Sequence, residues 1–250
     1  MEIEQSNDIP TGKETSLILV EFKGRRREVY GNPQNLSVVP GQYVIVEDDR
    51  GFDAGVVARI VSEEERNGAA PTFNVIRVAS EEDLTKIKQL REREVKVLTI
   101  AREKLIQSGL QMHLVGAEIR YDELKITFYF VAEGRIDFRQ YVRDLAATFH
   151  VRIELRQIGI RDAVKYISGF GVCGQPLCCA TFLESFRPIT IQMVRVQRLI
   201  PNPFKLSGPC GRLKCCLAYE LDLYPEAKLV ELNLEDQNWE VEESKPPFSD

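Results

Sequence analysis

The chain has 250 residues, 44% of them apolar and 28% charged, which is typical of soluble globular proteins and excludes a disordered or collagen-like chain. No apolar run approaches the roughly 18 residues of a membrane-spanning helix, and the acidic N-terminus has no apolar signal core, so we expect a cytoplasmic protein. The net charge of −5 is uneven, with +7 in residues 151–216 and −8 in residues 217–250. This division fits either a site for an anionic partner or an ordinary mixed-charge surface.

After a flexible N-terminus of residues 1–14, residues 15–79 are predicted to form a small β-rich module. Its predicted strands are Leu17–Phe22, Val29–Tyr30, Tyr43–Glu47 and Gly55–Val61. The turns between them are the basic segment Lys23–Arg27 and the polar segment Asp48–Gly51. The first turn could contact phosphate, but charges at a hairpin tip are more often simply solvated.

Residues 80–109 are predicted as one long helix and its end. Ser80 and Asp83 resemble a capping box, and Gly109 stands where the helix should stop. A partial apolar stripe consists of Leu84, Ile87, Leu98, Ala101 and Leu105. Because Arg91–Glu94 is polar on all sides, we expect the middle of the helix to be exposed, as a partner surface or as a solvated span.

Residues 110–222 are predicted as an α+β core. The strands His113–Arg120 and Leu124–Val131 should pair, and residues 190–199 should form a short helix. Asp137 and Gln140 should cap a helix in which Phe138, Val142, Leu145 and Phe149 recur at helical spacing. The alternating strand that follows should bury Val151, Ile153 and Leu155, with Arg152 and Arg156 on its other face. His113 and His150 are interpreted as packing or capping residues.

All six cysteines lie in a duplicated motif, G-x-C-G-x-x-x-C-C, at Gly171–Cys179 and Gly208–Cys216. Every matched position differs by 37 residues, and Phe182 and Tyr219 also correspond at that offset. Disulfides are unfavoured in an unsecreted chain, and cysteines that only pack need no repeated spacing. Metal binding does need it, because several thiolates must converge on one centre. The predicted metal ligands are Cys173, Cys178, Cys179, Cys210, Cys215 and Cys216.

The spacing does not decide which metal is bound. Zinc fingers usually space their ligands as C-x(2–4)-C, often with histidines following, whereas this motif is C-x4-C-C and no histidine is near it. Ligation by sulfur alone therefore fits a four-cysteine zinc site or an iron–sulfur cluster. Six thiols are two more than one tetrahedral centre uses, so one cysteine of each adjacent pair is available to a second cluster or to a partner protein.

A catalytic motif is not visible in the sequence. The chain contains no P-loop, no G-x-S-x-G or H-E-x-x-H motif, no C-x-x-C redox pair and no dinucleotide-binding fingerprint after a strand. A thiol redox enzyme stays open as a third class of function, and it would require an accessible cysteine with a low pKa.

Three groups of residues together resemble the C-terminal domain of the PSP-one (polymerase-suppressor) family, in its bacterial YaaT/RicT branch of stage-zero sporulation regulators. These are Arg152–Gly159 with Arg161 and Asp162, the two cysteine motifs, and Asn202–Gly208. The resemblance covers roughly residues 15–222. It implies a non-enzymatic cytoplasmic adaptor that binds an iron–sulfur cluster, expected to be 4Fe–4S, through the six cysteines. It also implies a complex with two small helical proteins and RNase Y in RNA processing and developmental regulation.

We therefore expect an α+β fold with a small N-terminal β-module, a long connecting helix, an α/β sandwich unit and a cysteine-rich metal-binding lobe at residues 173–216. An acidic tail, residues 223–250, should follow. The alternative is a structural-zinc module that binds RNA directly. In that case the candidate residues that contact phosphate are Arg152, Arg156, Arg161, Arg212 and Lys214.

Overall fold

The computed structural model describes residues 16–61, 71–183 and 185–224, and the chain divides into two compact units. The N-terminal unit comprises residues 1–108, 117–127 and 138–154, and the C-terminal unit comprises residues 109–116, 128–137 and 155–250. The predicted N-terminus of residues 1–14, and the acidic tail from residue 225 onward, lie outside the described residues. Both strands and helices are present, and the predicted α+β class is confirmed.

A five-stranded antiparallel sheet forms the first part of the N-terminal unit, with the strand order β2-β1-β4-β3-β5. Its strands are β1 Leu17–Glu21, β2 Arg27–Gly31, β3 Tyr43–Asp48, β4 Gly51–Val61 and β5 Val75–Val78. Both predicted hairpins are confirmed. However, β4 begins at Gly51 rather than Gly55, because Asp48 pairs directly with Gly51 across a two-residue loop.

One face of this sheet carries the larger apolar core. Alternate residues along β1 and β3 are fully buried, as the period of two along a strand requires. The core consists of Ile18, Val20, Phe22, Tyr30, Val38, Val44, Val46, Val57 and Val75. Each large side chain of this kind contributes roughly 1.5–3 kcal/mol when fully buried. Ile45 and Ala54 form a second cluster, which packs against Ile87 of the long helix.

The long helix, α1, spans Glu81–Ser108, as predicted. The capping box is present: the Ser80 N–H donates to Asp83 Oδ2 at 2.8 Å, and the Asp83 N–H donates to Ser80 Oγ at 3.3 Å. Gly109 has φ +68° and ends the helix. The apolar stripe differs from the prediction, because Leu84 is exposed and Leu98 only half-buried. Its buried residues are Asp83, Ile87, Leu90, Glu94, Val97, Ala101 and Leu105.

The prediction that the middle of α1 is exposed was wrong at Glu94, which is 1% exposed. Its carboxylate accepts hydrogen bonds from Lys23 Nζ at 2.6 Å, from the Ile119 N–H at 2.9 Å and from Arg91 at 3.0 Å. A buried carboxylate is stable only when it is paired and hydrogen-bonded in this way. In the sequence, Glu94 is simply one more charged residue in a charged run, and the pattern does not reveal the partners that compensate its burial.

A three-stranded sheet has the order β6-β7-β8, with β6 His113–Ile119, β7 Lys125–Val131 and β8 Arg152–Gln157. The predicted hairpin of β6 and β7 is confirmed. Hydrogen bonds link residue 152 to 124 and residue 158 to 130, so β8 runs parallel to β7. The connecting helix, α2, spans Arg139–Phe149. Such a strand–helix–strand unit is the usual way to connect parallel neighbours.

Several details of this region differ from the prediction. Val151, Ile153 and Leu155 of the alternating strand are half-buried rather than buried. Phe138 stands at the N-cap position of α2, so the predicted cap at Asp137 is one residue too early. Tyr141, which the pattern missed, is buried and donates a hydrogen bond to the Ala101 carbonyl at 2.7 Å. His150 ends α2 in the left-handed conformation, which confirms a capping role, whereas His113 is exposed at the start of β6 and does not pack.

After β8, the regular structure of the C-terminal unit consists mainly of short helices. They are α3 Ile160–Ile167, α4 Cys178–Thr181, α5 Ile191–Val196, α6 Pro203–Leu206 and α7 Cys216–Tyr219. Helix α5 confirms the predicted helix between the two cysteine motifs. The part of this unit after β8 contains three small clusters of buried residues, which include Leu177, Met193 and Val194 respectively. Within the described ranges, no helix is long and apolar enough to cross a membrane.

Candidate metal centre

The duplicated cysteine motif is also a structural duplication. We call residues 169–182 the first cysteine unit and residues 206–219 the second cysteine unit. Five backbone hydrogen bonds of the first unit recur in the second at the offset of 37 residues. In the first unit the N–H to carbonyl pairs are Gly171 to Gln175, Gly174 to Gly171, Leu177 to Gly169, Ala180 to Leu177 and Phe182 to Cys178. In the second unit they are Gly208 to Arg212, Gly211 to Gly208, Lys214 to Leu206, Leu217 to Lys214 and Tyr219 to Cys215.

This turn geometry explains why glycine occurs at the same positions in both motifs. Gly174 and Gly211, each directly after the first cysteine of its unit, have φ +78° and +73°, a region that side chains rarely adopt. A Cβ atom on Gly171 would lie 3.3 Å from the Cys173 sulfur, so the missing side chain lets this thiol lie against the backbone. Backbone N–H groups close to sulfur are a common way to tune a metal–thiolate site.

The two cysteine units contact each other through equivalent residues. The rings of Phe182 and Tyr219 meet edge to face, with centroids 5.1 Å apart and planes at 61°. Each ring is more than half exposed, at 55% and 57%. Since each ring ends the short helix that begins at its unit's cysteine pair, the contact brings the two pairs into one region. The sequence offset showed that these aromatic residues correspond, but not that they touch.

The six cysteines are all free thiols, and they differ in exposure. Cys179 is buried, Cys173 is exposed, and the others are half-buried. Electrostatic interactions cross between the cysteine units, linking Cys179 to Cys210 and Cys215 to both Cys178 and Cys179. The five thiols that interact in this way, within or between the units, are Cys178, Cys179, Cys210, Cys215 and Cys216.

Burial and nearby negative groups favour the protonated form of Cys179, Cys215 and Cys216. Burial raises the pKa of Cys215 to about 11, with further increases from the nearby Cys178 and Cys179. Burial also raises the pKa of Cys179 and of Cys216, the latter with a contribution from Glu220. A metal bound here would supply positive charge that offsets this repulsion, and it would release protons as it binds.

The donor set fits a sulfur-ligated group. Soft thiolate ligands select zinc, copper(I) or iron–sulfur clusters over metals that prefer oxygen. Among residues 16–61, 71–183 and 185–224, no three His, Cys, Asp or Glu side chains converge closely enough to hold a metal ion as they stand. Cysteine side chains change direction between staggered rotamers, so convergence depends on side-chain rotation and not on the backbone alone.

The candidate phosphate-binding residues do not all lie in one unit. Arg152 belongs to the N-terminal unit, where it lies 3.8 Å from Asp49. Arg156 and Arg212 are exposed in the C-terminal unit, and Lys214 is half-buried in the second cysteine unit. The fifth, Arg161, lies over the Phe186 ring beside the first cysteine unit. The five cations therefore do not form one continuous phosphate-binding surface within either unit.

The sequence did not predict the hydrogen bonds that Arg187 makes to the second cysteine unit and to Asp222 just after it. The Arg187 guanidinium donates to the Ala218 carbonyl and to Asp222, so it ties the segment after the first unit to the end of α7. Its position one residue before Pro188 gave no sequence signal for this role. Arginine is suited to it because its planar group donates several hydrogen bonds in fixed directions.

Comparison with known proteins gives matches over most of the chain. The family described as PSP1 C-terminal conserved region matches residues 73–158, and the one described as PSP1-like protein, third domain, matches residues 188–230. The chain is 44% identical over 214 residues to the stage 0 sporulation protein YaaT of Bacillus subtilis, covering 85% of this chain and 78% of the relative. It is 31% identical over 168 residues to an uncharacterized protein of Schizosaccharomyces pombe, covering 55% of this chain and 22% of that protein. No solved structure matches.

Proposed function

The chain belongs to the PSP1 C-terminal family, as its residues predicted, and we propose that it is a regulatory protein whose two cysteine units together hold one metal centre. The Bacillus relative is named as a stage 0 sporulation protein, which favours a regulatory role over catalysis. The observation that carries the proposal is the structural duplication: equivalent rings touch, and thiols of both units interact.

The proposed centre is an iron–sulfur cluster of the 4Fe–4S type. Its ligands come from the five interacting thiols, namely Cys178, Cys179, Cys210, Cys215 and Cys216, while Cys173 is the exposed sixth. When bound, such a cluster offsets part of the thiolate charge and joins the two cysteine units. Its loss or change of redox state would therefore alter the fold of this lobe.

In the proposed role the protein acts in the cytoplasm as an adaptor and not as an enzyme. Its partners would be small helical proteins and RNase Y, and its output RNA processing and developmental regulation. The C-terminal unit offers apolar surface for such contacts: Phe204 is 91% exposed, and Phe170, Val172 and Ile200 are also exposed. Exposed apolar groups that form a large patch mark protein interaction sites.

The test is anaerobic purification followed by an absorption spectrum and analysis of iron, sulfide and zinc. Iron and sulfide in equal amounts, with a broad visible band that bleaches on reduction, would support the cluster. A protein that contains neither iron nor zinc would refute both the iron–sulfur and the zinc form of the centre. Cys215→Ser should lose the band, because this thiol interacts with cysteines of both units.

The second candidate is a zinc-bearing module that binds RNA directly. It is favoured by the exposed basic side chains of Arg156 and Arg212 in the C-terminal unit. A colourless protein with stoichiometric zinc would point to it, and RNA binding that weakens steeply as salt rises would confirm the phosphate contacts. A thiol redox enzyme would instead need a cysteine with a lowered pKa, whereas burial raises the pKa of Cys179, Cys215 and Cys216.

A further inference from the structure

Helix α1 carries a line of exposed aliphatic side chains outside the apolar core. We call Leu84, Val95 and Ile106 the aliphatic line, and they are 42%, 66% and 82% exposed. They stand eleven residues apart, which is about three helical turns, and therefore lie along one side of the helix. Ile100, another exposed apolar residue of α1, lies about 140° around the helix from Val95. The regular spacing distinguishes the aliphatic line from apolar residues scattered singly over a surface.

The other sides of α1 have partners within the N-terminal unit. Ile87 packs against the five-stranded sheet, and the Glu94 carboxylate is buried with its three donors. On one flank of this buried face, Lys86 and Arg93 form ion pairs with Glu123. The aliphatic line lies on the opposite flank, about 100° around the helix from Glu94. It is the flank that the described residues leave open to a partner.

We propose that the aliphatic line is the contact surface for a second copy of this chain, whose α1 packs antiparallel about a twofold axis at Val95. The spacing carries the argument, because the line is symmetric about its middle residue. In an antiparallel pair centred there, Val95 meets its own counterpart. Leu84 of each copy meets Ile106 of the partner subunit. A twofold contact must be self-complementary in this way, whereas a surface for an unrelated protein need not be.

The charges beside the aliphatic line fit the same arrangement. Lys88 and Glu103 are exposed, and neither forms an ion pair with the described residues. Fifteen residues, or about 22 Å of helix, separate them, so they cannot reach each other within one chain. In the antiparallel pair each lysine lies within one residue of the level of the other copy's glutamate. A parallel pair would instead place like charges side by side, which is unfavourable.

The expected dimer is weak and reversible. Three aliphatic contacts separated by polar turns bury less apolar surface than a permanent interface does, so the dissociation constant should lie in the micromolar range. Dimerisation uses no cysteine and is independent of the proposed metal centre. It would give any partner of the adaptor two copies of each cysteine unit, and therefore the avidity of a bivalent surface.

The test is sedimentation velocity of the full-length protein under reducing conditions, over a concentration series through the micromolar range. Wild type should shift from monomer to dimer. Val95→Glu places two like charges opposite each other on the axis, so it should raise the dissociation constant more than about tenfold. Gln89→Glu is the matched control: it adds the same charge at an exposed position about 120° around the helix, and should stay within about twofold of wild type.

A charge exchange tests the antiparallel register. Lys88→Glu and Glu103→Lys each replace two attractive pairs of the dimer by repulsive ones, so each should weaken it about fivefold. The double variant Lys88→Glu/Glu103→Lys exchanges the two charges and should bring the dissociation constant back to within about twofold of wild type. Rescue cannot arise within one chain, because the two side chains are too far apart. Thermal unfolding of each variant checks that these exposed substitutions leave the fold intact.

Three results would overturn the proposal. A wild-type protein that stays monomeric throughout the series would refute the second copy as occupant and assign the aliphatic line to a different protein. Equal weakening by Val95→Glu and Gln89→Glu would show that the dimer forms through another surface. Failure of the double variant to recover the loss seen in both single variants would refute the antiparallel register. None of these results bears on the metal content of the protein, so the proposed metal centre is judged separately.

Discussion

The two units of the chain are stabilised in different ways. The N-terminal unit buries one cluster of nine apolar residues and pairs its buried charges. In the described part of the C-terminal unit after β8, three clusters have three buried residues each, the α-helices have four to eight residues, and eleven large apolar side chains are exposed. Small lobes of this kind generally need disulfides or a metal to fold. We therefore expect the N-terminal unit to depend on burial, and the lobe of the two cysteine units to depend on its thiols as well.

The largest expected difference follows metal removal. Because the proposed centre joins the two cysteine units, a chelator that strips it should abolish amide protection at Gly171, Gly174, Gly208 and Gly211. Amides of β1 and β4 should keep their protection, since their core contains no thiol. Hydrogen exchange with and without chelator measures both at once. If the amides of the cysteine units were as well protected without the metal as with it, the comparison would be contradicted.

The reverse perturbation is Glu94→Gln in the N-terminal unit. Removing one partner of a buried ion pair typically costs about 3 kcal/mol, so urea unfolding of this unit should shift by that order. Metal content should not change. Glu92→Gln, on the exposed side of the same helix, is the matched control and should have almost no effect. A parallel loss of metal would mean that the C-terminal unit also depends on this buried charge.

A smaller effect is expected at Asp83, which accepts hydrogen bonds from Arg77, Tyr121 and Ser80. The Arg77 guanidinium holds the pKa of this carboxyl well below its usual range. A lowered pKa means that the stabilisation is complete above pH 4 and is lost as the pH falls toward the pKa of the folded state. Asp83→Asn should cost about 1–3 kcal/mol at neutral pH and flatten the acid limb of a stability–pH curve. A stability–pH curve of Asp83→Asn that stays parallel to the wild-type curve down to pH 2 would count against this role of Asp83.

The smallest effect tests the equivalence of the two cysteine units. Gly174→Ala and Gly211→Ala each force a side chain into a left-handed backbone conformation, at a cost of about 1 kcal/mol. Since the two turns have nearly the same φ and the same hydrogen bonds, the two variants should lower the melting temperature of the C-terminal unit equally. If one variant lowered the melting temperature more than about twice as much as the other, the two repeats would not be equivalent in energy.

The sequence predicted those features that depend on local pattern. The β-hairpins, the Ser80–Asp83 capping box and the helix at residues 190–199 follow from periodicity and turn chemistry, and the structure contains them. The burial of Glu94 could not be predicted, because its partners Lys23 and Ile119 come from distant parts of the chain. The contact of Phe182 with Tyr219, and the place of Arg161 beside Phe186, likewise depend on tertiary packing.

The most direct test of a centre shared by the two cysteine units is the metal content of three single variants purified anaerobically. Cys179→Ser and Cys216→Ser change equivalent positions of the first and second units, and Cys173→Ser changes the exposed thiol as a control. A shared centre predicts that each of the first two variants loses nearly all iron or zinc, while Cys173→Ser keeps most of it. Retention of half of the metal by both Cys179→Ser and Cys216→Ser would show two independent sites and contradict the account.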